Sequence, residues 1–400
     1  MVNKDRLFNR LMELGQIGNT EDGVYCMALS PEENEAHAQV RKYMDAAGNL
    51  VGRKEGTDPN ASVVMTGSHI DTVYGGGMFD GRLGVIGGIE AVQAMNEAGI
   101  QTKHPIEVIA YRDEEGTRFV GSYSGAGHLT GGYDHGIMDH ADKDGKTVRE
   151  CLKECGIDPD HVDDARLPEG YAKAHLELHI EQGAVLESKG LSVGVVTGIC
   201  CQIRGEVTIK GTASHAGTTP MDLRKDALAA AAECMLEIED EAKKYPQAVA
   251  TVGKITAFPG GVNVVPGEVK FSIDMRNQKA ALRDAMFDKC VERMKEVCER
   301  RGVSLDVNVL MKDDEGKPCA DHIQDIVAES CEKAGLPVFR MPSGAGHDSS
   351  TFADFCPMGM IFIRSKDGLS HNKDEYSSPE DCAAGAEVLY HTLLKLASED

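Results

Sequence analysis

Val63-Val64-Met65-Thr66-Gly67-Ser68-His69-Ile70-Asp71-Thr72 is followed by Gly75-Gly76-Gly77-Met78-Phe79-Asp80-Gly81. The hydrophobic run at 63–65 enters as a buried strand and delivers an imidazole at its end. A glycine-rich turn then delivers a carboxylate. The small-residue stretch Gly84-Val85-Ile86-Gly87-Gly88-Ile89 leaves as a helix. A strand that ends in an imidazole and a loop that ends in a carboxylate are half of a metal site.

Outward from this stretch, strand and helix alternate. Ser30 caps a helix with Pro31 in its first turn and Glu33 completing a capping box, and Gly48 is a suitable stop. Strands are expected at 50–52, 62–66, 106–111 and 176–180, and helices at 83–98 and 147–155. This alternation implies an α/β layer with a mostly parallel sheet. Past residue 200 the rhythm changes. Residues 203–210 alternate strictly, then come a helix over 220–244, strands 248–257 and 270–275, helix 279–301 and strand 304–310. The order β-α-β-β-α-β is a ferredoxin-like split motif. The α/β pattern resumes with helix 321–334, strand 359–364 and helix 379–396. A second, α+β domain at 204–318 is therefore expected as an insertion into a first domain made of 1–203 and 319–400. Ser-Gly-Ala-Gly-His occurs at 124–128 and again at 343–347 in different surroundings, and that echo is read as chance.

Bulk properties narrow the function. A chain of 400 residues favours two domains, and 27% charged with 41% hydrophobic residues is an ordinary globular mix. No apolar run is long enough to span a bilayer, and residues 1–6 lack the apolar core of a signal peptide, so a cytoplasmic protein is expected. The net charge of −23, with no basic cluster, argues against nucleic acid. An anionic substrate must then be held locally, by a metal or an arginine. The 12 cysteines form no C-x-x-C pair and are read as free buried thiols.

In an open α/β sheet, ligands gather at the C-terminal strand edge. Four such edges end in ligand-type residues: His69 with Asp80, the run Arg112-Asp113-Glu114-Glu115, the run His179-Ile180-Glu181-Gln182, and Ser370-His371-Asn372. An aspartate can bridge two ions about 3.5–4 Å apart. Imidazoles and carboxylates suit zinc, manganese, cobalt or nickel alike. One glutamate of the Glu114-Glu115 pair can bind metal while its neighbour stays free as a general base. Asp71 is placed to hold the other ring nitrogen of His69.

Gly-Ser-His-Ile-Asp-Thr, Gly-Gly-x-Phe-Asp-Gly, Glu-Glu-Gly-x-Arg-Phe, His-Ile-Glu-Gln-Gly, Ser-Gly-Ala-Gly-His-Asp and Ser-His-Asn stand in order along nearly the whole chain. In this the sequence resembles the dinuclear-metal aminoacylase and carboxypeptidase superfamily, and within it the hydantoinase/carbamoylase branch. The resemblance implies a metal-dependent exopeptidase-like catalytic domain with an inserted ferredoxin-like lid and dimerisation domain. It implies two divalent metal ions, one held by His69, Asp80 and His179 and the other by Asp80, Glu115 and His371, with Glu114 as base. By the same resemblance Gln182, His215, Asn263, Arg276 and the glycines Gly344 and Gly346 contact substrate. His215 steadies the substrate carbonyl and Arg276 pairs with a carboxylate. Lid residues acting across a dimer imply a homodimer.

The expected reaction is hydrolysis of a linear amide or ureido C–N bond in a small anionic substrate. An N-carbamoyl-L-amino acid is the first expectation; allantoate, β-ureidopropionate, ureidoglycolate and, behind them, N-acyl amino acids or dipeptides are the alternatives. A catalytically silent binding protein is a rival of another class, disfavoured by the complete ligand set. A dinucleotide-binding oxidoreductase is disfavoured because no G-x-G-x-x-G follows the early strands.

Overall fold

The structure is a computed structural model that describes residues 1–45, 52–119 and 124–399. The chain divides into two compact units, Met1–Gly198 with Pro318–Asp400, and Ile199–Lys317.

The first unit is built on a mixed sheet whose centre is parallel. Strand Val63–His69 runs parallel to Ile106–Tyr111 on one side and to Ala172–Ile180 on the other, and Met358–Ile363 runs parallel to Ala172–Ile180. Gly52–Lys54 and Val193–Ile199 flank this centre in antiparallel pairing. Every residue of Val63–His69 is buried, as a strand covered on both faces must be, which is why it reads as a continuous apolar run rather than an alternation. Helices Lys4–Gly15, Arg82–Glu97, Asp321–Lys333 and Pro379–Ser398 supply the apolar side chains that close the core. Helix Arg82–Glu97 lies so close to the sheet that a Cβ at Gly84 would stand 2.4 Å from the Leu178 carbonyl oxygen. This explains the small residues in its first turns. Parallel strands put their C-terminal ends on one edge, and His69, Glu114, Glu115 and His179 all sit at or just beyond those ends.

Ser30 Oγ accepts the Glu33 amide at 3.1 Å, but the return arm of the expected capping box reaches Leu29 N–H at 2.8 Å instead of Ser30, because the same carboxylate also binds Arg112. That helix spans Pro31–Asp45; its expected stop at Gly48 and the strand signal at 50–51 lie outside the described residues. The helix expected at 147–155 is Val148–Glu154, with Thr147 and Glu150 forming a full capping box. Helix Lys4–Gly15 and strands Val193–Ile199 and Arg340–Ser343 were not anticipated.

The second unit is an antiparallel sheet in the order Val249–Thr251, Glu268–Asn277, Cys201–Lys210, Ser304–Lys312, with Ile255–Phe258 also paired to Glu268–Asn277. Helices Ala227–Ala242 and Ala280–Arg301 cover one face, giving the ferredoxin-like β-α-β-β-α-β arrangement. Its first strand begins at Cys201 and the unit at Ile199, ahead of the expected 204. Two expectations need correction. The helix starts at Ala227, not near Pro220, because the Asp226 carboxylate caps the amides of Leu228 and Ala229 at 3.0 Å; residues Met221–Leu223 make only a short 3₁₀ turn. The strand expected over 248–257 is broken into two pieces, since Lys254 N–H turns aside to the Ser272 hydroxyl.

All 12 cysteines are free. Among the described residues, no helix is long and apolar enough to cross a membrane.

Candidate active site

The C-terminal edge of the parallel strands gathers two groups that share one residue. Donor atoms of His69, Asp80 and His179 lie within 4.8 Å of one another, and so do those of Asp80, Glu115 and His371. Asp80 Oδ1 is 3.4 Å from His69 Nε2 and 3.1 Å from His179 Nε2; its Oδ2 is 3.5 Å from His371 Nε2, which is 3.5 Å from Glu115 Oε2. One carboxylate thus faces imidazoles from three separate segments.

The tautomers follow from the outer hydrogen bonds. His69 Nδ1 donates to the Asp71 carbonyl at 3.0 Å and His179 Nδ1 to the Ile180 carbonyl at 2.9 Å. Gly81 N–H also donates to His179 Nε2 at 3.2 Å. In the neutral rings both Nε2 atoms carry lone pairs, and both point at a carboxylate oxygen. Acceptors facing acceptors in a buried site need positive charge between them. Burial opposes charge on His69, but Asp80, Glu114 and Asp71 outweigh it and raise its pKa well above the usual histidine range, so these acids favour positive charge at Nε2, as a proton or as a metal cation in its place. Burial likewise works against ionised Asp80, but His179 and His69 hold it well below the carboxylate range. Glu115 Oε1 is buried with no hydrogen-bond partner among the described residues. A nitrogen–oxygen donor set with a shared aspartate and an orphaned glutamate oxygen fits divalent metal binding.

Glu114 sits beside this set, with Oε2 3.9 Å from His69 Nε2. Burial raises its pKa well above the usual glutamate value, with Glu115, Asp348 and Asp71 adding to the effect and His69 opposing it. A carboxylate outside the ligand set with a raised pKa is suited to accepting and returning a proton.

Asp71 holds the other ring nitrogen of His69, but through its backbone rather than its side chain. Its backbone carbonyl takes the Nδ1 proton, while its carboxylate stands 3.7 Å away. That carboxylate instead accepts the amides of Glu114 at 3.2 Å and Glu115 at 3.3 Å. Asp71 thus fixes the backbone that carries both glutamates. The preceding Asp113 holds φ +58°, and Gln182 and His371 hold φ +58° and +53°. Left-handed backbone in non-glycine residues costs energy and collects at functional sites.

Gln182 donates to Asp80 Oδ2 at 2.8 Å, so it touches a candidate ligand directly. Gly344 and Gly346 are exposed positions of the loop after strand Arg340–Ser343, next to the buried His347. In the second unit, His215 and Asn263 meet on one two-stranded ribbon. His215 pairs with Val264 and its Nδ1 accepts Gly217 N–H at 3.1 Å, while the Asn263 carbonyl accepts Ala216 N–H at 2.9 Å. Arg276 makes an ion pair with Asp274 at 2.8 Å on the sheet.

Several further residues hold the site in place. Glu375 Oε1 accepts the amides of Phe79 and Asp80, each at 3.0 Å, and Ser370 Oγ lies 2.7 Å from Asp80 Oδ2 and 2.9 Å from Glu375 Oε2. Ser370 adjoins His371 and was within reach of its motif; nothing local marks Glu375. Glu177 accepts Ser68 Oγ at 2.7 Å and the Ser349 amide at 2.9 Å beneath the site. His347 completes a further group with Glu177 and His179; it lies in the Ser-Gly-Ala-Gly-His-Asp segment beside Gly344 and Gly346.

A family model described as Peptidase family M20/M25/M40 matches residues 59–395. An N-carbamoyl-L-amino acid amidohydrolase of Geobacillus stearothermophilus is 46% identical over 99% of both chains. The allantoate amidohydrolase of Escherichia coli is 36% identical over 94% of this chain and 93% of its own. Among solved structures, an amidase of the hydantoinase/carbamoylase family from Burkholderia multivorans superposes with TM-score 0.94 at 33% identity, covering 100% of this chain and 98% of that one.

Proposed function

The chain belongs to peptidase family M20/M25/M40, and we propose that it is a metal-dependent amidohydrolase that cleaves a linear ureido or amide C–N bond, with an N-carbamoyl-L-amino acid as substrate. One observation carries this reading: two ligand groups joined at Asp80, with Glu114 beside them and outside both. The 46% identity to an N-carbamoyl-L-amino acid amidohydrolase supports the choice of substrate.

Two divalent cations, held by His69, Asp80 and His179 and by Asp80, Glu115 and His371, would supply Lewis acidity and a water acidified toward neutral pH. Glu114 takes the proton of the attacking water on its carboxylate and later gives it to the leaving nitrogen. The Asp71 carboxylate holds the Glu114 backbone still through both transfers. His215 donates toward the carbonyl oxygen as negative charge develops there. Arg276 exchanges Asp274 for the substrate carboxylate in a bidentate pair, and Gln182, Asn263 and the loop of Gly344 and Gly346 orient the rest. One water converts the carbamoyl acid to amine and carbamic acid, and carbamic acid falls to ammonia and carbon dioxide. The active form is a homodimer built through the inserted unit.

Ammonia release across N-carbamoyl amino acids, β-ureidopropionate, allantoate, N-acetyl amino acids and dipeptides, each with Zn, Mn, Co and Ni, tests the assignment. Turnover confined to dipeptides would overturn it. Allantoate is the second reading, favoured by the 36% identity to the Escherichia coli allantoate amidohydrolase. Glu114→Gln is expected to keep its metal content while losing about 10²–10⁴-fold in turnover; unchanged turnover would remove Glu114 from the role of base.

A further inference from the structure

The first unit contains a cavity of about 540 Å³ that shares no residue with the ligand groups or Glu114. It lies between helix Pro31–Asp45, the end of strand Ile106–Tyr111, and the segment running from helix Ser124–Thr130 to the 3₁₀ turn Val162–Ala165. Its volume falls within the range of small-molecule sites. Leu29, Ile109, Leu129, Val148 and Leu152 make one wall apolar.

Three polar atoms on the other wall are not satisfied. His37 Nε2, His128 Nδ1 and Tyr133 Oη are buried, line this cavity, and have no hydrogen-bond partner among the described residues. Native interiors seldom leave such atoms unmatched, and several facing one cavity mark a place where something else completes them. Their protonation states define the complement. Burial holds the Tyr133 phenol up at about 12, so it is an O–H donor. Burial, Arg112 and Arg41 push His37 down to about 3, so it is a neutral imidazole. Burial lowers His128 as well; the nearest acid, Asp163, is 3.9 Å from its Nδ1, beyond a hydrogen bond, and pairs with His135 at 3.3 Å.

Charge at the cavity is positive in a chain whose net charge is −23. Arg41 and Arg112 both line it. Glu33 takes up Arg112 in an ion pair, with its other oxygen 4.0 Å from His37 Nε2 and beyond a hydrogen bond, which leaves the Arg41 charge at the mouth. A phenolic donor, neutral imidazoles and a guanidinium opposite an apolar wall match an acceptor-only head group on a hydrophobic body.

We propose that this cavity is a second ligand site, separate from the metal-ligand edge, for a small monocarboxylate with an apolar aromatic or branched-alkyl body. The carboxylate sits toward Arg41 and Tyr133, and the body lies along Leu129, Val148 and Leu152.

Isothermal titration of the full chain with 4-phenylbutyrate tests this. The expected result is saturable binding of one equivalent per chain. Arg41→Gln should weaken it at least fivefold, and so should the neutral isostere 4-phenylbutan-1-ol in place of the acid. Arg41 is exposed on its helix, so that variant keeps its fold, which a thermal melt checks. Ala165→Trp, at an exposed position of the wall, should abolish binding. Arg276→Ala should leave it unchanged, since Arg276 lies in the other unit. The proposal fails if the wild-type chain shows no saturable heat, if Arg41→Gln or the alcohol loses less than fivefold, or if Arg276→Ala is the variant that stops binding.

Discussion

Asp71→Asn separates two accounts of how this aspartate works. Its carboxylate is fully buried and gives one oxygen to each of two amides, those of Glu114 at 3.2 Å and Glu115 at 3.3 Å. Asparagine keeps one acceptor and turns an NH₂ group against the other N–H. One charge-assisted bond is lost, the remaining bond becomes neutral, and a buried donor is left unmatched. Hydrogen bonds to charged groups contribute about 1.5–3 kcal/mol each, so stability should fall by about that amount. If the same energy holds Glu114 in its reactive position, turnover should fall about 10- to 150-fold. The His69 imidazole should keep its orientation, because its Nδ1 proton goes to the Asp71 backbone carbonyl, which the substitution leaves in place; it loses only the Coulombic pull of a carboxylate 3.7 Å away. The assay is paired: metal content by mass spectrometry of the dialysed protein, and kcat with KM for the best substrate. The expected outcome is full metal content with lowered kcat. If Asp71→Asn instead loses one metal equivalent while the residual loaded enzyme keeps the wild-type kcat, the carboxylate serves the histidine, and the role drawn from these distances is wrong.

Gly81 has φ +65°, and a Cβ there would stand 2.4 Å from His69 Nε2; Gly81→Ala should therefore displace that imidazole and lower metal content, and a variant with wild-type metal content would contradict the geometry. His175 is buried between the Tyr111 hydroxyl at 2.9 Å and the Ser349 hydroxyl at 3.1 Å, and burial pushes its pKa down to about 3. It is neutral in the folded chain and titrates near 6.5 when unfolded, so acid favours the unfolded state from about pH 6.5 down to about pH 3. Relative to His175→Gln, the wild-type chain should lose about 1.4 kcal/mol per pH unit across that window and nothing above it. Denaturant melts at pH 7.5, 6 and 5 measure the difference, and parallel stability curves would refute it.

Much of the scaffold was legible because it is written in short-range terms. The parallel strands announce themselves as apolar runs, the split β-α-β-β-α-β block as a change of period, and the capped helix after Thr147 as a local motif. The errors were local too. Pro220 looked like a helix start, but the Asp226 cap further along wins. Residues 252–254 looked continuous with their strand neighbours, but a side-chain hydrogen bond diverts them. At the site, the ligand types at four strand ends were readable, since each sits just past a buried strand or in a glycine-rich turn. The supports of those residues were not. Glu375 holds the Asp80 backbone from nearly 300 residues away, with the bond spanning |i−j| = 295, and no local pattern encodes such a partner.

By itself, the sequence determined the chemistry on offer: imidazoles and carboxylates at the ends of parallel strands, a free glutamate beside a ligand-type one, and an α+β block inserted between two α/β segments. Only the tertiary structure decided how those groups divide the work. It made Asp80 common to two ligand groups, turned the Asp71 carboxylate from a histidine to a backbone, and set Ser370 between two acids. The reason is physical: residue identity and strand period are local properties, whereas which atom a carboxylate faces depends on the order in which distant strands pair.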